Sequence, residues 1–128
     1  MNHKQKLIYV VDDLPNLCVL LEHKISMMGL SVRTFTNPLL AYESCKEQAP
    51  DVLITDVVMP EILGTELLMM LRSEGFNIPA IVISGYMSFE AMNDLKSKGL
   101  AKCVLGKPID FPELKRALNK ILCVEEVL

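Results

Sequence analysis

Asp51-Val52-Leu53-Ile54-Thr55-Asp56 decides the fold of this chain. Five residues of strand-like character run straight into one carboxylate, Asp56. Apolar residues fill both alternating sides of the run, the pattern of a central strand covered by helices on each face. Asp56 then stands at the carboxyl end of that strand, ahead of the turn-forming Met59-Pro60 and Gly64. In an open parallel α/β sheet, ligands bind at that edge.

Working outward, the same strand pattern recurs on both sides. Strands are expected over about 6–11, 31–35, 51–55, 78–83 and 102–105, numbered β1 to β5. Helices are expected over about 15–28, 38–48, 64–73, 88–98 and 111–124, numbered α1 to α5. Leu14, Leu17, Cys18, Leu21, Ile25 and Met28 recur at spacings of three and four, one face of a helix. Pro15 suits its first turn and Gly29 its stop. Ser31 to Phe35 alternates as an edge strand does. Asn37-Pro38 pairs a cap with a proline at the first helical position. Phe89, Met92 and Leu95 mark α4 and Gly99 ends it. Asp110-Phe-Pro-Glu113 has capping-box spacing, and Leu114, Ala117, Leu118, Ile121 and Leu122 share a face of α5. Strands joined by helical crossovers pair in parallel, with helices on both faces. The fold class is therefore a doubly wound α/β sheet, (βα)5, in one domain over residues 1–128.

Composition narrows the function. At 128 residues the chain fits one domain. Half of it is hydrophobic, yet no apolar run reaches the ~18 residues that a membrane span needs. The N-terminus runs directly into a strand pattern, so no signal peptide is expected and the location is cytoplasmic. A net charge of −3 argues against a nucleic-acid surface, which needs clustered Lys and Arg. Cys18, Cys45, Cys103 and Cys123 form no CxxC pair and read as reduced, buried thiols. The eight methionines read mainly as core filler. Met87 and Met92 lie where a partner surface is expected.

In a parallel sheet, every strand's carboxyl end lies on one edge. The residues at those ends are Asp12-Asp13, Asp56, Ser84 and Lys107. Carboxylates grouped in this way repel one another unless a cation joins them. A hard divalent ion with oxygen ligands, Mg²⁺ above all, meets that need. The metal and Lys107 would neutralise a phosphate, and the Ser84 hydroxyl would donate to it. Asp56 is then placed as the nucleophile for phosphoryl transfer, which needs mainly positioning and charge neutralisation. Each sign alone has a plainer reading as a cap, a turn or a solvated loop. Their joint occurrence at successive strand ends does not.

With these residues the chain resembles the receiver domain of two-component response regulators. The likeness covers essentially the whole chain. It rests on Asp12-Asp13, Asp56 with Met59-Pro60 and Gly64, Ser84-Gly85, and Lys107-Pro108. It implies a flavodoxin-like fold with strand order 2-1-3-4-5. It implies that Asp56 accepts a phosphoryl group from a sensor histidine kinase or a phosphotransfer protein, without turnover in the enzymatic sense. Asp12, Asp13, Asp56 and the backbone carbonyl of Val58 would hold Mg²⁺. Ser84 would swing to the phosphoryl oxygen and Lys107 would pair with it. The Lys107-Pro108 bond would be cis. Effectors would be engaged through the α4-β5-α5 face, with a phosphorylation-dependent dimer allowed.

Two positions depart from the family pattern. Val104 occupies the place of an aromatic switch residue, which puts the usual coupling in doubt. Tyr86 puts a bulky ring two residues after Ser84, either shielding an acyl phosphate from water or lying on the surface. Other readings fit less well. A dehalogenase-type phosphatase wants a second Asp where Val58 stands. A flavodoxin-like cofactor protein wants a phosphate-cradling loop where the acidic Asp12-Asp13 stands. A pseudo-receiver acting without phosphorylation is the remaining alternative.

Overall fold

Alternate residues of the central strands point to opposite sheet faces, and both sets are apolar. The computed structural model describes residues 5–122. Its strands are β1 Leu7–Val11, β2 Ser31–Phe35, β3 Val52–Asp56, β4 Ala80–Ser84 and β5 Cys103–Gly106. Its helices are α1 Pro15–Ser26, α2 Pro38–Glu47, α3 Gly64–Ser73, α4 Phe89–Ser97 and α5 Phe111–Leu122. The strands pair in parallel in the order β2-β1-β3-β4-β5, the flavodoxin-like arrangement. Cys123 and the expected last residues of α5 lie outside the described residues.

Tyr9, Val11, Leu53 and Val82 face one side, where they pack with Ala41 and Cys45 of α2, Leu67, Leu68 and Leu71 of α3, and Leu95 of α4. Ile8, Val10, Val52, Ile54, Ile81 and Ile83 face the other, against Cys18, Leu21 and Ile25 of α1 and Leu114 and Leu118 of α5. Burial on both sides is the reason that these strands read as continuous apolar runs. β2 lies at the sheet edge and stays half-exposed. There the Arg33 guanidinium stacks over Tyr9 and Phe35 and donates to Ser44 Oγ at 3.0 Å. The fully buried Tyr9 hydroxyl meets the same Ser44 Oγ at 2.9 Å and donates to the Gln48 carbonyl. One polar chain thus ties β1, β2 and α2 together.

Boundaries move where a backbone group is missing or already engaged. β4 begins at Ala80, two residues later than expected, because Pro79 has no N–H and the Ile78 carbonyl is held by Arg72 at 2.9 Å. β3 extends through Asp56, which pairs with Ile83, so the Asp56 carboxylate hangs on the last rung between β3 and β4. β5 is shifted to include Gly106. α1 ends at Ser26 in a tight turn in which Gly29, at φ 85°, donates to Ser26. In α4, Phe89 is 74% exposed although it is spaced by threes from the buried Leu95. Two steps of three residues drift by about 120° around a helix, so Phe89 leaves the face that Leu95 holds.

The loop after β3 folds back on the strand end. The Gly64 N–H donates to the Val57 carbonyl at 2.7 Å, and a Cβ at Gly64 would lie 1.9 Å from the Asp56 carbonyl oxygen. Glu66 closes the first turn of α3 by accepting from the Leu63 N–H at 2.8 Å. Gly64→Ala is expected to destabilise the domain by about 3 kcal/mol, the upper end for overpacking against backbone that cannot yield. Urea unfolding of the two proteins checks this, and a loss under about 0.5 kcal/mol, the size of an ordinary surface substitution, would refute it.

Candidate functional site

Each functional side chain is delivered by the end of a strand. Asp12 follows β1, Asp56 ends β3, Ser84 ends β4, and Lys107 follows β5. The Lys107 N–H bonds the Ser84 carbonyl at 3.0 Å, which continues the ladder to this edge. The Lys107-Pro108 peptide is cis, as the resemblance implies. The Lys107 ammonium lies 3.1 Å from Asp56 Oδ2 and 3.4 Å from Asp12 Oδ2. The other Asp12 oxygen accepts from the Leu14 N–H at 2.9 Å, and Asp56 Oδ1 accepts from the Val57 N–H at 2.8 Å. Asp13 completes the group: one carboxylate oxygen each of Asp12, Asp13 and Asp56 lies within 4.8 Å of the others.

Asp12 and Asp56 are buried, and Asp13 is partly so. Burial holds the Asp12 carboxyl above its ordinary value of 3.8, although the Leu14 N–H and Lys107 pull the other way. Folding therefore raises the proton affinity of Asp12 relative to the unfolded chain. That stabilisation is present below the ordinary value and is lost as the pH climbs through the raised one. For Lys107, burial alone would depress the pKa, but the hydrogen bond to Asp56 and the charges of Asp12 and Asp56 outweigh it, and the net shift is upward. Its stabilisation is full below the ordinary lysine value and is lost only above it.

The donor set fits a hard divalent cation. Three carboxylates against one ammonium leave two negative charges in a half-buried pocket, and all the ligands are oxygens. The thiols of Cys18 and Cys45 are free and buried, and burial pushes both to about 11. Cys103 is a free, half-buried thiol. Val58 lies two residues beyond Asp56 with its side chain 70% exposed. Its carbonyl stays a ligand by resemblance alone.

The sequence matches the response regulator receiver domain over residues 8–119. The chain belongs to that family. Among its relatives, the transcriptional regulatory protein ZraR of Escherichia coli K12 is 32% identical over 123 residues, 95% of this chain. The receiver spans only about a quarter of the length of that regulator, 27%. Sporulation initiation phosphotransferase F of Bacillus subtilis is 28% identical, with 95% of each chain covered. The response regulator TrrA of Thermotoga maritima, solved in complex with Mg(2+)-BeF, superposes with a TM-score of 0.80 at 30% identity, covering 91% of this chain and 99% of that one. The receiver domain of a LuxO repressor from Vibrio parahaemolyticus shares the fold, with a TM-score of 0.89 at 20% identity, 94% of this chain and 92% of that one being covered.

The receiver's site contains parts that residue types alone did not reveal. The Thr55 hydroxyl donates to the Asp56 carbonyl at 2.9 Å and braces the strand end. As the polar residue inside an apolar strand, it carried a readable signal. The Ser84 hydroxyl is engaged locally. It donates to the Tyr86 carbonyl at 2.7 Å and accepts from the Tyr86 N–H at 3.2 Å. The Tyr86 ring is 88% exposed, so the surface reading holds and the ring covers no site atom.

Removing one of the three repelling acids should stabilise the receiver in the absence of a cation. Asp13→Asn is expected to raise unfolding stability by ~1 kcal/mol at pH 7 in a chelator, the scale of one close charge pair in water. The gain should shrink as acid protonates the carboxylates. A denaturant series at two pH values checks it, and a destabilised variant would contradict the charge argument.

Proposed function

We propose that this receiver is a phosphoacceptor switch in which Asp56 takes a phosphoryl group from the phosphohistidine of a sensor histidine kinase or phosphotransfer protein. The observation that carries the reading is the Lys107 ammonium 3.1 Å from an Asp56 oxygen, inside the triad of acids. An Asp56 oxygen attacks phosphorus, and the P–N bond of the donor breaks with its electron pair returning to the imidazole. The product is an acyl phosphate. Asp12, Asp13, Asp56 and the Val58 carbonyl would hold Mg²⁺, which supplies charge neutralisation at the transferring group. Lys107 stabilises the charge on the phosphoryl oxygens, and Thr55 and the Val57 N–H hold the acceptor in place.

The phosphorylated receiver acts through its partners rather than by turnover, and we place it in the cytoplasm. An effector would read the α4-β5-α5 face, and phosphorylation would control any pairing of two copies. The names of the relatives support this setting, since they include regulators and a phosphotransferase.

The test is incubation with Mg²⁺ and acetyl phosphate, followed by intact mass. One phosphoryl group should be gained by the wild type and none by Asp56→Asn or in excess chelator. Lys107→Ala should slow the gain by about 100-fold, the usual loss for one stabilising group aimed at developing charge. An unmodified wild type, or a phosphoryl group retained by Asp56→Asn, would refute the assignment.

A further inference from the structure

Cys18 faces the sheet from the first half of α1 and is 3% exposed. A short polar side chain inside a helix commonly turns back to the carbonyl four residues earlier. Here that carbonyl, of Leu14, already takes the Leu17 and Cys18 N–H groups at 3.1 Å each. The Cys18 thiol reaches instead to the Asp12 carbonyl at 3.3 Å. A carbonyl can only accept, so the thiol is the donor.

Asp12 is buried just past the end of β1. Its N–H is spent on the Phe35 carbonyl at 3.0 Å, and its carboxylate oxygens on the Leu14 N–H and the Lys107 ammonium. Among the described residues, the Cys18 thiol is the one donor that the Asp12 carbonyl receives. A buried carbonyl left without a donor costs free energy comparable to a lost hydrogen bond. This carbonyl belongs to the peptide unit that links Asp12 to Asp13, and the six atoms of such a unit share one plane. Pinning its oxygen sets the tilt of that plane, from which two of the three clustered acids hang.

We infer that Cys18 is a positioning residue for the divalent cation, and that its thiol sets the orientation of Asp12 relative to Asp13 through the peptide between them. The inference rests on these acids holding Mg²⁺. Mg²⁺ takes its oxygen ligands in near-ideal octahedral directions, whereas Ca²⁺ accepts a looser set at longer distances. A fixed angle between two ligands therefore favours the smaller ion. Freeing the peptide plane costs Mg²⁺ more than it costs Ca²⁺.

The full chain is stripped of metal and titrated with Mg²⁺, and separately with Ca²⁺, while its amide resonances are followed by NMR. Urea unfolding of each variant runs beside the titrations. Cys18→Ala should weaken Mg²⁺ binding about fivefold, the scale of one hydrogen bond, and Ca²⁺ binding by less than about twofold. Cys18→Ser keeps a donor and should return the Mg²⁺ affinity. Cys45→Ala is the control for a lost buried thiol, since Cys45 packs from α2 on the other face of the sheet. It should lose stability and leave both affinities as they were. Unchanged Mg²⁺ affinity in Cys18→Ala, an equal loss for the two ions, or Cys18→Ser binding as weakly as Cys18→Ala would overturn the positioning role alone. A wild type that binds no Mg²⁺ would overturn the metal reading, and the positioning role with it.

Discussion

Asp12, Asp13 and Asp56 come to the sheet edge from two strands, and one lysine pairs with Asp12 and Asp56. The charge there does not balance, and the surrounding structure is arranged to hold the imbalance in place. Lys107 reaches two of the acids at once, from the strand end farthest along the chain. Backbone N–H groups of Leu14 and Val57 take up further carboxylate oxygens. For Asp12, burial raises the carboxyl, and the Leu14 N–H and Lys107 oppose that rise. The apolar faces matter to the chemistry because they fix the strand ends from which these groups hang.

Most of the architecture was legible because its signals are periodic. Alternation across both sheet faces marked the central strands, and the helices announced themselves by spacing, proline starts and glycine stops. The site residues could be placed without contacts, since a parallel sheet sends every strand's end to the same edge. Misplaced boundaries share a cause. The start of β4 depends on Pro79 lacking a donor and on a guanidinium that claims Ile78, and neither appears in a hydrophobic pattern. Phe89, Met92 and Leu95 recur by threes, which marks a helix, but one of 3.6 residues per turn does not keep them on one face, and Phe89 is exposed.

Parts of the site stayed hidden because they use backbone atoms. Gly64 could be read as a turn, but not as a residue whose missing side chain admits the Asp56 carbonyl. The local partner of Ser84 is a peptide carbonyl, and any residue at position 86 could present one. Tyr86 drew attention by its size, whereas its role in the turn belongs to its main chain. Side-chain chemistry thus identifies a receiver site more readily than it explains how the site is held.

The Arg33 stack bears on how the domain behaves among its own kind. β2 ends the sheet, and an exposed edge offers unpaired peptide groups to any extended segment that drifts past. A guanidinium fastened over Tyr9 and Phe35 and hydrogen-bonded to Ser44 keeps a fixed positive charge at that border. An incoming strand would have to strip the water from that charge without offering a partner for it. The border therefore carries a charge that any added strand would have to accommodate before the sheet could grow.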